Sequence, residues 1–110
     1  MKKKDNGFIK YDQEKIRYDL VDPEFEEGVA RVLTYGAKKY APNNWLKCNS
    51  VMQYYAALRR HLALFIMGED DDPETGLSHI FNIGCCAMFM YGLLKIRGAI
   101  VDDRPKKRKT

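Results

Sequence analysis

The apolar positions of this chain fall into three long stretches with helical spacing, separated by short polar segments that carry the marks of helix ends. In the first stretch Phe25, Val29, Val32, Leu33, Gly36 and Tyr40 recur at steps that place them on one helix face. Asp22-Pro23-Glu24 opens it with a capping acid, a proline in the first turn and an acid beside the positive end of the dipole. A helix from Pro23 to about Tyr40 is predicted. Asn49-Ser50 begins the second stretch, and Gln53, three residues after Ser50, completes a capping box. Val51, Tyr54, Tyr55, Leu58, Leu62, Phe65 and Ile66 then face inward up to about Met67, where Gly68 ends the helix. The third stretch, from about Leu77 to Arg97, is apolar nearly all round, as expected inside a bundle or at a subunit interface.

These elements predict an all-α fold: a compact bundle of three long helices, completed by oligomerisation because 110 residues make a small core. Ahead of the bundle, Phe8-Ile9-Lys10-Tyr11 reads as a short extended piece. Lys15, Arg17 and Asp19 alternate with Ile16, Tyr18 and Leu20, which predicts an extended arm laid over the body. Residues 1–14 form a flexible basic segment, residues 15–98 the helical domain, and residues 99–110 a basic disordered tail.

Charge changes the picture of possible partners. The whole chain carries +4, but Lys2, Lys3 and Lys4 and the set Arg104, Lys106, Lys107, Arg108 and Lys109 lie in the ends. The remaining residues hold 11 basic against 15 acidic groups, a balance of −4. A positive surface for a nucleic-acid backbone is therefore not a property of the folded body, and nucleic acid stays a secondary reading through the tails. Cys48, Cys85 and Cys86 make no disulfide framework, which predicts reduced thiols and a cytoplasmic protein. The N-terminal lysines have no apolar run behind them, so no signal peptide is expected. Ile80 to Leu94 is shorter than the ~20 residues of a membrane span and reads as a buried helix, with no membrane partner.

The chemistry concentrates between Arg59 and His79. Arg59, Arg60 and His61 stand near the end of the second helix, followed after Gly68 by Glu69, Asp70, Asp71, Asp72 and Glu74, with His79 opening the third. Both histidines of the chain lie here. Carboxylates and imidazoles suit a divalent cation, and guanidinium groups suit the phosphates that accompany one. Glu69 and Asp72 are three apart, and Asp72-Pro73-Glu74 has the form of another helix cap. His79, Asn82 and Cys86 share one stripe of an otherwise apolar helix, where polar groups need partners. Glu24 and Glu27 either converge on an ion or form a solvated stripe with a Glu27–Arg31 pair. Trp45, beside Asn43 and Asn44, either stacks on a base or plugs the core.

On these residues the chain resembles a family of phage and bacterial proteins, the dATP/dGTP diphosphohydrolase N-terminal domain, itself a relative of the MazG-like all-α nucleotide pyrophosphohydrolases. The matching pieces are Lys15-x-Arg17-Tyr18-Asp19-Leu20, Gly36-Ala37-Lys38-Lys39-Tyr40, Asn44-Trp45, Arg60-His61-Leu62 and the run from Gly68 to His79. The resemblance implies a helical, homo-oligomeric protein that binds a purine deoxynucleoside triphosphate with Mg²⁺ or Mn²⁺ and cleaves between the α and β phosphates. It implies metal binding by Glu69 and Asp72, with Glu24, Glu27 and Glu74 in or behind that shell. His61 and His79 would meet a metal, a phosphate or the attacking water. Lys38, Lys39, Arg59 and Arg60 would hold the triphosphate, and Asn44 and Trp45 the base or sugar. MazG-like enzymes carry paired acids on consecutive helices, whereas here the second pair sits in a loop and His79 and Asn82 occupy the following helix. That departure keeps a second reading open: a protein that sequesters a nucleotide without cutting it.

Overall fold

The computed structural model describes residues 6–11 and 13–105. Three helices make up the body: α1 (Pro23–Lys39), α2 (Val51–Ile66) and α3 (His79–Arg97). No strand is present among the described residues. The fold is all-α, as the periodicity predicts. Each start is fixed by the residue expected to fix it where a cap was expected: the Asp22 carboxylate accepts from the Phe25 amide, and the Ser50 hydroxyl from the Gln53 amide. The third helix begins two residues later than predicted, at His79, with Ser78 capping the Ile80 amide.

α3 is the central element, with α1 and α2 both packed on it. Glycines make the close approaches possible. A Cβ at Gly92 would come 2.5 Å from Trp45, and one at Gly84 would sit 3.1 Å from Phe25. The Gly28 backbone meets the ring of Phe81, which stands edge-on to Phe25. At the other end Val51, Leu93 and Val101 close a small core flanked by Trp45, Tyr54 and Met90. By length and apolar composition the span His79–Val101 is long enough to cross a membrane, contrary to the expectation that the run is too short. The helix continues through residues on both sides of the run. It packs against α1 and α2, but only 17% of its apolar stretch is buried, and Tyr91 and Ile96 are exposed, so it is not the buried helix expected.

Several surfaces differ from expectation. Leu62, Phe65 and Ile66, read as inward, are exposed, as is Tyr40. α1 and α2 both pack on α3 rather than enclosing a common centre, so the far end of α2 is left uncovered by the described residues. The arm is not laid over the body either. Phe8, Ile9, Tyr11, Ile16, Tyr18 and Leu20 are all exposed, Tyr11 by 81%. Residues Tyr18–Leu20 form a 3-10 turn, and Arg17 pairs with Asp19 at 2.7 Å instead of with the body.

The expected disorder beyond residue 98 does not describe residues 99–105. Gly98–Val101 forms a 3-10 turn that buries Val101 completely. Asp103 then caps α2, accepting from the Ser50 hydroxyl and, at 3.0 Å, from the Met52 amide. The basic segment 1–5 and the cluster 106–110 lie outside the described residues, and so does the nucleic-acid reading that rests on them.

Candidate functional site

A cleft of about 530 Å³ opens between the C-terminal half of α1, the loop that follows it, and the α2–α3 pair. One end is aromatic and apolar. Trp45 stacks on Phe89 at 5.1 Å, Tyr54 tilts against the same ring at 4.9 Å, and Val32, Leu33 and Met88 continue the wall. Trp45 is held there by α3: the guanidinium of Arg97 donates to the Leu46 and Cys48 carbonyls and to Asn49, pinning the 3-10 turn Asn44–Lys47. Asn43, in the left-handed region at φ 58°, turns the chain at the cleft mouth. Trp45 thus packs on the core and lines the cleft at once.

The other end is polar, and the loop between α2 and α3 builds it. Gly68, at φ 101°, closes α2: its amide donates to the Phe65 carbonyl and the Glu69 amide to the Leu64 carbonyl. This glycine cap sets the starting direction of Glu69. Asp70 and Asp72 then pair with the segment before α3. The His79 amide donates to the Asp70 carbonyl at 2.9 Å, and the Asp72 amide to the Leu77 carbonyl at 2.8 Å. The Asp72 carboxylate accepts from the Glu74 amide, so Asp72-Pro73-Glu74 caps a turn that reverses at Gly76, and not the expected helix.

The loop and helix register bring three side chains into line. Glu69 Oε2 lies 2.9 Å from His79 Nε2, and His79 Nδ1 lies 2.8 Å from His61 Nδ1. His79 is 1% exposed, so both its nitrogens depend on these partners. His61 lines the cleft with Asp72, Glu74, Thr75 and Asn82. Burial, and then His79, push the His61 imidazole below its ordinary value; Asp72 acts against that, and Arg60 adds to it. A neutral ring at neutral pH follows. Asn82, largely buried, donates to the Ser78 carbonyl and contributes to the cleft lining. The buried Cys85 and Cys86 thiols are pushed up by burial to about 12 and about 11, which leaves them inert.

The remaining candidates separate. Lys39, Asn44 and Trp45 line the cleft, whereas Lys38, Arg59 and Arg60 do not. Arg59 instead donates to the Tyr55 hydroxyl at 2.7 Å. Lys39 reaches Glu74 at 2.7 Å, and that carboxylate, with Tyr40 behind it, raises the amine well above its usual range. Glu27 pairs with Arg31 at 3.3 Å on the outside of α1, where Glu24 is also exposed. Among the described residues no three of the acids, histidines and cysteines come together as a metal cage. Glu69 is turned to His79, Glu74 to Lys39, and Glu24 and Glu27 to solvent. The ligand set implied by the acid pairs therefore does not fit this arrangement, because the second pair sits in a loop that points its members in different directions. The Glu69–His79–His61 alignment was not legible in the sequence, since nothing in spacing foretells that the glycine cap aims Glu69 at the start of α3.

Comparison with known proteins gives this geometry a family. A relative from Salmonella phage PMBT28, a dATP/dGTP diphosphohydrolase, is 40% identical over 98 residues. That alignment covers 87% of this chain and 33% of the relative, so the chain spans about a third of that protein's length. No solved structure matches the chain. The family model described as dATP/dGTP diphosphohydrolase, N-terminal, matches residues 5–104, and the chain belongs to that family.

Proposed function

We propose that this chain is a diphosphohydrolase domain acting on purine deoxynucleoside triphosphates, releasing the monophosphate and pyrophosphate. The observation that carries the reading is a cleft with an aromatic wall at one end and His61, Asp72 and Lys39 at the other, with buried His79 behind His61. A purine fits between apolar and aromatic walls, with Asn44 at the edge to meet base or sugar. The triphosphate then extends toward Lys39 and the neutral His61. Water attacks the α phosphorus, the bond from that phosphorus to the oxygen bridging α and β breaks so that pyrophosphate leaves, and His61 accepts the water proton.

Mg²⁺ or Mn²⁺ belongs to this reading as the counter-ion of the triphosphate, entering with the substrate. The relative's name, dATP/dGTP diphosphohydrolase, supports the substrate class. The exposed apolar arm and the uncovered end of α2 support assembly as a homo-oligomer. The compartment that goes with the reading is the cytoplasm of a bacterial host. Incubation with dGTP or dATP and either cation, with chromatographic detection of dGMP, dAMP and pyrophosphate, tests it; intact triphosphate throughout would remove it.

One observation favours a second reading, nucleotide sequestration: among the described residues the acids do not gather into a set that could hold a cation. Calorimetry followed by recovery of the ligand separates the two. Tight binding without metal and with the ligand returned unchanged would establish the sequestering protein.

A further inference from the structure

The line of Glu69, His79 and His61 has a property that follows from its hydrogen-bond chemistry alone. Two imidazole nitrogens 2.8 Å apart must hold one proton between them, since two lone pairs or two N–H groups would repel. The end at Glu69 decides which ring supplies it. An ionised carboxylate only accepts, so His79 must present Nε2–H across the 2.9 Å gap. In a neutral His79 the other nitrogen, Nδ1, is then a bare acceptor, and His61 must donate its Nδ1–H. This leaves Nε2 of His61 without a proton, and His61 makes no further hydrogen bond among the described residues. The two rings are held in opposite tautomers.

We infer that Glu69 is a positioning residue that acts through buried His79 to fix His61 with its bare Nε2 available to the cleft, and that it does not bind metal. The inference rests on the hydrolase reading for its catalytic meaning but not for its geometry. During attack the water oxygen bonds to phosphorus, the bond to the pyrophosphate oxygen breaks with its electron pair on the leaving group, and the water proton passes to His61 Nε2. The imidazolium so formed still donates Nδ1–H to His79, whose own N–H points to the Glu69 carboxylate, so the new charge faces an acceptor backed by an anion. No proton has to travel along the line. The titratable groups facing His61 are His79 from α3, neutral in this arrangement, Asp72 from the loop and Arg60 from α2 itself; Lys39 of α1 stands at the cleft mouth with its charge matched by Glu74.

The test uses the full chain with ¹⁵N-labelled histidine and long-range proton–nitrogen correlation at neutral pH. The expected spectrum shows one ring protonated on Nδ1 (His61) and one on Nε2 (His79), assigned with His61→Asn. Glu69→Gln keeps the shape but can donate as well as accept, so the single tautomer pair gives way to a mixture. In turnover the same variant should lose about a hundredfold in kcat with KM little changed, and the acidic limb of its pH profile should move to lower pH. A His61 ring carrying its proton on Nε2 in the unaltered protein overturns the inference, even in an active enzyme. So does a Glu69→Gln variant with normal kcat and an unmoved limb. If no triphosphate is cleaved at all, the hydrolase reading falls by itself, and the tautomer spectrum still decides the geometry.

Discussion

Lys39 at the end of α1 and Glu74 in the loop before α3 meet at 2.7 Å across the mouth of the cleft, 35 residues apart in sequence. Both side chains are about half exposed, so the pair does little for stability and its importance lies in what the amine can reach. A triphosphate arriving in the cleft competes with Glu74 for Lys39. Lys39→Met should raise KM for dGTP by about tenfold, the worth of one charge-assisted hydrogen bond. Glu74→Gln should lower KM, because the amine is released. Steady-state kinetics of the two variants check this; loss of kcat in Glu74→Gln would instead mark Glu74 as a metal ligand.

Gly92 faces the indole of Trp45 so closely that an added Cβ would lie 2.5 Å from the ring. The ring is also stacked on Phe89 and its turn is tied down by Arg97, which limits how far it can shift. Gly92→Ala should destabilise the protein by ~1–3 kcal/mol, the range for overpacking. Urea unfolding would show this as a lower midpoint with an unchanged slope. Because Trp45 also lines the cleft, nucleotide affinity should weaken in the same variant.

The helices were legible because each is declared locally. Asp22 and Ser50 are caps written within three residues of the amides they bind, and Gly68 ends α2 in the conformation that glycine favours. The histidine pair was legible as a neighbourhood, since the loop between His61 and His79 is short. What was not legible needs tertiary geometry. The direction of Glu69 depends on the glycine cap, and the direction of Glu74 on Lys39 across the cleft. Acid spacing suggested a cage because spacing records which residues are near, not which way a loop turns them. The inward reading of Leu62, Phe65 and Ile66 failed for a different reason: periodicity finds an apolar face, and nothing among the described residues covers the end of that face.

The His61 imidazole is held below its ordinary value of 6.5 chiefly by burial. In the unfolded chain the ring takes up a proton as pH falls past that value, while in the folded chain it resists until lower pH. The unfolded state then binds more protons, so stability falls as pH drops below about 6.5 and the loss ends once pH passes the folded value. Urea midpoints measured through this window should decline toward acid. In His61→Asn the decline over the same window should flatten. A parallel decline in both proteins would assign the effect to other groups.

Asp103 lies 51 residues from Met52, yet its carboxylate receives the Met52 amide at 3.0 Å and the Ser50 hydroxyl beside it. Ser50 already accepts from the Gln53 amide, so the start of α2 is capped twice, once from its own sequence and once from the far end of the chain. The Ser50 hydroxyl, and then the Met52 amide, hold the Asp103 carboxyl below its usual range. A depressed carboxyl contributes stability that is present above its ordinary value of 3.8 and lost as pH falls below it. Asp103→Asn removes the charge but keeps an oxygen. It should therefore lower the thermal midpoint modestly and speed hydrogen exchange at the Met52 amide, while leaving the Gln53 amide protected by Ser50. Equal acceleration at both amides would mean that α2 frays as a unit and that Ser50 adds no cap of its own. Unchanged exchange at Met52 would mean that the end of the chain does not hold the helix, and residues 99–105 would return to the disordered tail expected of residues 99–110.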